Sequence, residues 1–139
     1  MAQTILQATD RDIALTKKRI LVIEDESLIV MMLDDILDEL DYEMATDIGT
    51  LSGALEILNR DDACAQFDAA ILDVNLNGEK AWPAADRLIA LDIPFLLSTG
   101  ASQDDTPPDY QHIPNICKPY SVSGLQAALD TLFDDTKTN

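Results

Sequence analysis

Polar side chains follow four short apolar runs of this sequence, each at the point where the run ends. They are Glu24 with Asp25, then Asp73, then Thr99, and finally Lys118. The apolar runs are predicted to be strands of a parallel sheet, and the carboxyl ends of such strands meet at one edge, where α/β folds bind ligands. Carboxylates, a hydroxyl and an ammonium at one edge would form a site for Mg²⁺ and a phosphoryl group.

Each of these side chains has a definable chemical use. A carboxylate can attack a phosphoryl donor directly, and we interpret Asp73 as that nucleophile. The carboxylates of Glu24, Asp25 and Asp73 would repel one another unless a cation lies among them, and Mg²⁺ prefers such hard oxygen ligands. Lys118 offers a positive charge for a carboxylate or a phosphoryl group, and the Thr99 hydroxyl can donate to a phosphoryl oxygen.

Taken singly, each residue also has an ordinary structural explanation. An aspartate after a strand is often a turn residue, and acidic residues before a helix suit its dipole. A lysine at a strand end is usually solvated, and a Thr-Gly pair is a common turn. The combination of all these groups in consecutive strand ends is what favours a phosphoryl site.

The composition limits the classes of function. The chain has 139 residues, enough for one domain with a core, and a formal net charge of -17. That charge argues against binding to nucleic acid or to an anionic membrane surface. Cys64 and Cys117 are too few for a disulfide framework or a metal knuckle, and Cys117 is expected to be a small buried thiol. Without a membrane-length apolar run or a signal peptide, we expect a cytoplasmic protein.

Strand-like and helical patterns alternate from residue 18 onward, which predicts βα units and a parallel sheet, an α/β fold. Strands are predicted over 19–23, 42–46, 67–72, 93–98 and 113–117. Helices are predicted over 27–40, 51–59, 80–90 and 122–133, with Thr50 capping the second. Pro107-Pro108 lie where a fourth helix is expected, so that helix should be short or irregular. We divide the chain into a flexible N-terminal extension (1–17), one domain (18–135) and a C-terminal tail (136–139).

The arrangement resembles the receiver domain of two-component response regulators over about residues 18–135. The resemblance implies a doubly wound (βα)5 flavodoxin-like fold with strand order 2-1-3-4-5. It implies that Asp73 is the phosphoacceptor and that Asp25 and Asp73 bind Mg²⁺ directly. The backbone carbonyl of Asn75 would be a third ligand, and Glu24 would act through water. The family usually has its Lys-Pro peptide, here before Pro119, in the cis form.

The sequence departs from typical receivers at one position. An aromatic residue usually lies three positions before the conserved lysine, and here that position is Asn115. The chain is closer to a subclass of stand-alone receivers with a Phe-Ala-Thr-Gly run. Thr99-Gly100 match that run, whereas Leu97-Ser98 do not. Switching would then involve the proline-bearing segment 101–112.

The resemblance implies a single-domain response regulator that is not an enzyme. It would accept a phosphoryl group from a histidine kinase or a histidine phosphotransfer protein, and then signal by docking or act as a phosphate sink. The sequence does not name the downstream partner. Three alternatives are a receiver-like module that is never phosphorylated, a Mg²⁺-dependent phosphohydrolase, and a nucleotide-binding flavodoxin-like carrier. The hydrolase would need an acid at Asn75, and the carrier would need a Gly-rich phosphate loop.

Overall fold

A five-stranded parallel sheet forms the centre of the molecule. The structure, a computed structural model, describes residues 17–100, 106–118 and 120–138. The strands are β1 (Arg19–Ile23), β2 (Glu43–Ile48), β3 (Ala69–Asp73), β4 (Phe95–Thr99) and β5 (Asn115–Cys117). Their order across the sheet is β2-β1-β3-β4-β5, all parallel, which confirms the predicted α/β fold and strand order.

Helices cover both faces of this sheet. The four longer ones are α1 (Ser27–Glu39), α2 (Leu51–Leu58), α3 (Trp82–Ala90) and α4 (Val122–Thr138), and a four-residue helix, Ala63–Gln66, lies before β3. The Thr50 hydroxyl accepts a hydrogen bond from the Gly53 N–H at 3.0 Å, so the predicted cap of α2 is confirmed. Pro83 lies in the first turn of α3, where its missing N–H leaves no helical bond unmade.

The strands are apolar throughout because both of their faces are buried. Alternate residues of β1 point to opposite sides, so Leu21 and Ile23 join one core cluster while Ile20 and Val22 join the other. The first cluster includes buried residues of α2 and α3, and the second includes those of α1 and α4. The result is a three-layer domain with a sheet held between two pairs of helices.

The region of the expected fourth helix is irregular where the structure describes it. Residues 106–112 contain a single 3-10 turn, Pro108–Tyr110. The Tyr110 ring stacks on Trp82 of α3 with centroids 4.5 Å apart, and its hydroxyl donates to the Asp86 carboxylate at 2.5 Å. A stacked pair and one hydrogen bond therefore fasten this turn to α3 in place of a packed helix. Residues 101–105 lie outside the described part of the chain.

Several details differ from the sequence-based expectation, among them the helix Ala63–Gln66, which was not predicted and delays the start of β3 to Ala69. Helix α4 runs to Thr138, beyond the predicted end at Phe133. A short antiparallel hairpin, Asn75–Leu76 with Glu79–Lys80, follows β3. Cys117 is exposed and not a core thiol, because β5 is the edge strand of the sheet and its alternation turns Cys117 outward.

Some expectations concern residues that the structure does not describe. The predicted flexible extension falls almost wholly on residues 1–16, and the peptide before Pro119 is outside the described ranges too. Among the helices that are described, none has the length and apolar character needed to cross a membrane.

Candidate functional site

The register of the sheet brings the predicted site residues to one edge, which we call the carboxyl edge. Asp73 at the end of β3 lies opposite Ser98 of β4, and Thr99 lies opposite Cys117 of β5. The Lys118 backbone N–H donates to the Thr99 carbonyl at 3.0 Å, which continues the pairing by one residue. Three neighbouring strands thus end at the same level, where Asp73 and Lys118 line a common pocket and Thr99 is buried.

A single ammonium group joins two buried carboxylates at this edge. Lys118 Nζ lies 3.0 Å from Asp73 Oδ2 and 2.8 Å from Glu24 Oε1. Glu24 is 3% exposed and Asp73 is 6% exposed, so both carboxylates are largely removed from water. A buried carboxylate is costly unless a cation or hydrogen bonds compensate it. Lys118 supplies that compensation for both groups.

Backbone N–H groups hold the other carboxylate oxygens. The Asn75 N–H donates to Asp73 Oδ1 at 3.1 Å, and the Asn77 N–H donates to Asp25 Oδ2 at 2.9 Å. Asn77 and Gly78 have φ values of 52° and 88°, the left-handed conformation that an Asn-Gly hairpin turn requires. The hairpin after β3 therefore turns back far enough to fix Asp25, which comes from the loop after β1.

The pKa values follow from this crowding. Burial raises the pKa of Glu24 to about 7, and Asp73 adds to the rise while Lys118 opposes it. Burial alone would lower the pKa of Lys118, but its contacts with Glu24 and Asp73 outweigh burial and raise it. Partial burial alone would raise the pKa of Asp25, yet chiefly the Asn77 N–H, which favours the ionised form, brings it below its ordinary value.

The donor set at this edge fits a hard divalent cation. One oxygen from each of Glu24, Asp25 and Asp73 lies within 4.8 Å of the others. Clustered carboxylate oxygens of this kind suit Mg²⁺, which also keeps waters and phosphate oxygens as ligands. Asn75 lines the pocket beside Asp25 and Asp73. The part assigned to its backbone carbonyl by the resemblance stays a prediction.

An open pocket of about 310 Å³ gives access to these groups, and its lining includes Asp25, Asp73, Gly100 and Lys118. A Cβ added at Gly100 would meet no atom of the described residues within 4 Å. Thr99 is 4% exposed, and its Oγ1 has no hydrogen-bond partner among the residues that the structure describes. A buried hydroxyl without a partner can bond a ligand oxygen, although Thr99 itself is not among the residues that line the pocket.

One contact at this edge was not foreseen from the sequence. The Tyr120 side chain is buried, and its hydroxyl is hydrogen-bonded to Ser98 Oγ, next to Thr99. This contact ties the segment after Lys118 to the end of β4. The sequence did not predict where the Tyr120 side chain lies, because its position depends on the path of the chain after Lys118.

Solved structures of other proteins share this fold. SdrG from Sphingomonas melonis Fr1 is 41% identical, with a TM-score of 0.72, and the match covers 84% of this chain and 97% of SdrG. The receiver domain of PhyR from Erythrobacter litoralis is 24% identical, with a TM-score of 0.68 over 86% of this chain and 92% of that domain. The chain belongs to the response regulator receiver family.

The chain is also similar to part of a longer protein. The transcriptional regulatory protein PdtaR from Mycobacterium tuberculosis (strain CDC 1551 / Oshkosh) is 31% identical over 126 residues, which is 88% of this chain. The receiver spans 59% of the length of PdtaR. No protein-family model matches the chain.

Proposed function

We propose that this receiver accepts a phosphoryl group on Asp73 from a phosphohistidine in a two-component phosphorelay. The observation that carries the proposal is the Lys118 ammonium, held between Asp73 at 3.0 Å and Glu24 at 2.8 Å, with Asp25 in the same acidic cluster. A nucleophilic carboxylate, an ammonium beside it and clustered oxygen ligands are the parts that phosphoryl transfer needs. The same edge provides a hydroxyl, on Thr99, that has no described partner.

The chemistry would be a displacement at phosphorus. A carboxylate oxygen of Asp73 forms the new P–O bond while the P–N bond to the donor imidazole breaks, and the imidazole leaves with its electron pair. Lys118 would pair with the phosphoryl oxygens, and Thr99 would donate a hydrogen bond to one of them. Mg²⁺, held by Asp25, Asp73 and the Asn75 carbonyl with Glu24 acting through water, would neutralise charge on the phosphoryl group.

The partners would be a histidine kinase or a histidine phosphotransfer protein, in the cytoplasm. Phosphorylated receiver would signal by docking to another protein or would drain phosphate from another branch. A solution structure of the BeF3-activated conformation of SdrG, 42% identical to this chain, supports a phosphoryl-dependent state in this group of receivers. We do not propose an enzyme, beyond self-catalysed gain and loss of the phosphoryl group.

The test is phosphate incorporation from a small acyl phosphate with Mg²⁺, followed by intact mass measurement. We expect one adduct on the wild type, none in EDTA, and none on Asp73→Asn. Asp61→Asn is the matched control, because Asp61 is exposed and lies in no part of the site, and it should be modified like the wild type.

Other outcomes separate the alternatives. No adduct and no fluoroberyllate binding on the wild type would overturn the proposal and favour a module that is never phosphorylated. Steady release of free phosphate at enzyme-like rates would favour the phosphohydrolase instead.

A further inference from the structure

Two recesses lie at the end of the sheet where the strands begin, which we call the amino edge. The first recess has a volume of about 250 Å³, and its lining includes Lys18, Phe67, Leu91, Pro94 and Phe133. Lys18 is the residue directly before β1, and its Nζ lies 5.3 Å from the centroid of the Phe133 ring. The first recess therefore opens at the point where the N-terminal residues join the domain.

The second recess is larger and mostly apolar. It has a volume of about 540 Å³, with Ile89, Phe95, Ile113 and Leu132 among its lining residues. Ile89 near the end of α3 is 45% exposed and is one of four large apolar side chains that are exposed in the described part of the chain. A mostly apolar lining of this kind suits aliphatic side chains of a peptide better than a charged ligand.

The two recesses are neighbours that share a wall. Asp92, Ile93 and Pro94 line both of them, so together they form one amino-edge groove. The groove starts at Lys18, crosses the wall before β4, and ends near His112. The residues that line the groove lie at the amino edge, opposite to Asp73. Helices end at this edge because each helix runs back across the sheet to the point where the next strand begins.

We infer that residues 1–16 of this chain bind in the amino-edge groove. This segment carries four aliphatic residues, Ile5, Leu6, Ile13 and Leu15, which suit a mostly apolar groove. Its one basic residue, Arg11, stands between Asp10 and Asp12, so these apolar side chains and not charge would hold the segment. Because the segment is tethered at the mouth of the groove, its effective concentration there exceeds that of any free peptide or second copy.

The reach of the segment fits the groove. The amino ends of β1 and β4 are two strand spacings apart, or about 10 Å, and that of β5 is about 15 Å away. Leu15 and Ile13 lie three and five residues before Lys18 and can extend about 10 and 17 Å, enough for the first recess. Ile5 and Leu6 lie far enough along the chain to enter the second recess.

The test places a nitroxide label on the segment and reads the domain by NMR. The label is attached to Gln7→Cys in a Cys64→Ser, Cys117→Ser background, where the hydroxyl introduced at position 64 can donate to the Leu91 carbonyl as the native thiol does. We expect loss of peak intensity at the backbone amides of Ile89, Asp92 and His112. The amides of Asp25 and Asn77 at the carboxyl edge should keep their intensity.

Substitutions distinguish specific docking from nonspecific contact. Ile89→Ser in the groove should restore the intensities at the amino edge, and so should Ile13→Ser with Leu15→Ser in the segment. Leu28→Ser is the matched control, because Leu28 is 78% exposed on α1 and far from the groove, and it should leave the intensity loss unchanged.

Three results would overturn the inference. One is equal intensity loss at both edges of the sheet. Another is unchanged loss at the amino edge in the groove and segment variants, which is what a tethered but undocked segment would give. The third is the same loss in a mixture of labelled, unenriched chain with unlabelled, isotope-enriched chain, which would assign the groove to a second copy.

Discussion

At the scale of residues, the stability of the carboxyl edge depends on one ammonium group, that of Lys118, which compensates two buried carboxylates. Lys118 contacts both Glu24 and Asp73, and its side chain is 17% exposed. Removing it would leave two buried carboxylates facing each other with backbone N–H groups as their remaining support. Protonation of Glu24, whose pKa is raised to about 7, would relieve part of that repulsion.

We expect Lys118→Met to lower the free energy of unfolding by about 2 kcal/mol in EDTA, because it leaves buried charge unpaired. Excess Mg²⁺ should recover much of that loss, since a divalent cation would take over the neutralising role. Urea unfolding with and without Mg²⁺ measures both effects. Lys80→Met, at an exposed lysine, is the control and should change little. Equal stability of the two variants would contradict the prediction.

Thr99 gives a second prediction at this scale, because its buried hydroxyl has no described partner. Thr99→Val keeps the shape and removes the polar atom, so the protein should be as stable as the wild type or more stable by about 1 kcal/mol. Fluoroberyllate affinity should nevertheless fall, because the hydrogen bond to the phosphoryl mimic is lost. Thermal unfolding and a fluoroberyllate titration test the two parts. A destabilised Thr99→Val protein with normal affinity would show that the hydroxyl is structural.

At the scale of elements, the hairpin after β3 positions a side chain from a different loop. Its turn depends on Gly78 at a φ of 88°, and the neighbouring Asn77 N–H holds Asp25. The two-residue turn of this hairpin thereby controls where the Oδ2 atom of Asp25 lies. The element is too small to add much stability, but its conformation decides the geometry of the site.

We expect Gly78→Ala to cost about 1 kcal/mol, because alanine is strained at positive φ while the space around the new methyl is open. Mg²⁺ affinity should fall as well, since a shifted Asn77 would release Asp25. Gly100→Ala is the stability control, because that position is equally open and has no positive φ. Chemical denaturation and a Mg²⁺ titration provide the measurements. If both alanine variants lose the same stability, the turn conformation is not the cause.

Much of the fold and of the site follows from patterns within single elements. The apolar runs predicted the strands, and the polar residues after them predicted which side chains meet at one edge. Contacts between elements that are distant in the chain could not be predicted from the sequence. The Ser98–Tyr120 hydrogen bond and the Trp82–Tyr110 stack depend on loop paths that no local pattern encodes. Cys117 was wrongly predicted to be buried because its apolar run was interpreted alone, although the predicted strand order already placed β5 at an edge of the sheet.

At the scale of the whole molecule, its three tyrosines share one property. The hydrogen bond to Asp86 raises the pKa of Tyr110 to about 12, and burial raises that of Tyr120 to about 12. Burial also raises the pKa of Tyr42. Each folded tyrosine therefore keeps its proton at a pH where an unfolded one has lost it.

This predicts how the fold responds to alkali. An unfolded tyrosine ionises near pH 10. The contribution of the raised tyrosine pKa values to the free energy of unfolding is therefore complete below about pH 10. It is lost as the pH rises from there through about 12. Tyrosinate absorbance followed against pH, with and without urea, should show a higher midpoint for the folded protein. Coincident midpoints near pH 10 would contradict the raised pKa values.

The contact between Lys18 and Phe133 indicates where the chain can be circularly permuted. The start of β1 and the late turns of α4 meet there, at the edge away from Asp73. Ends that lie side by side can be joined by a short linker, and new ends can be opened in an exposed loop. A circular permutant linked across this contact and opened between Arg60 and Asp61 would keep all five strands intact, with its new termini away from the carboxyl edge.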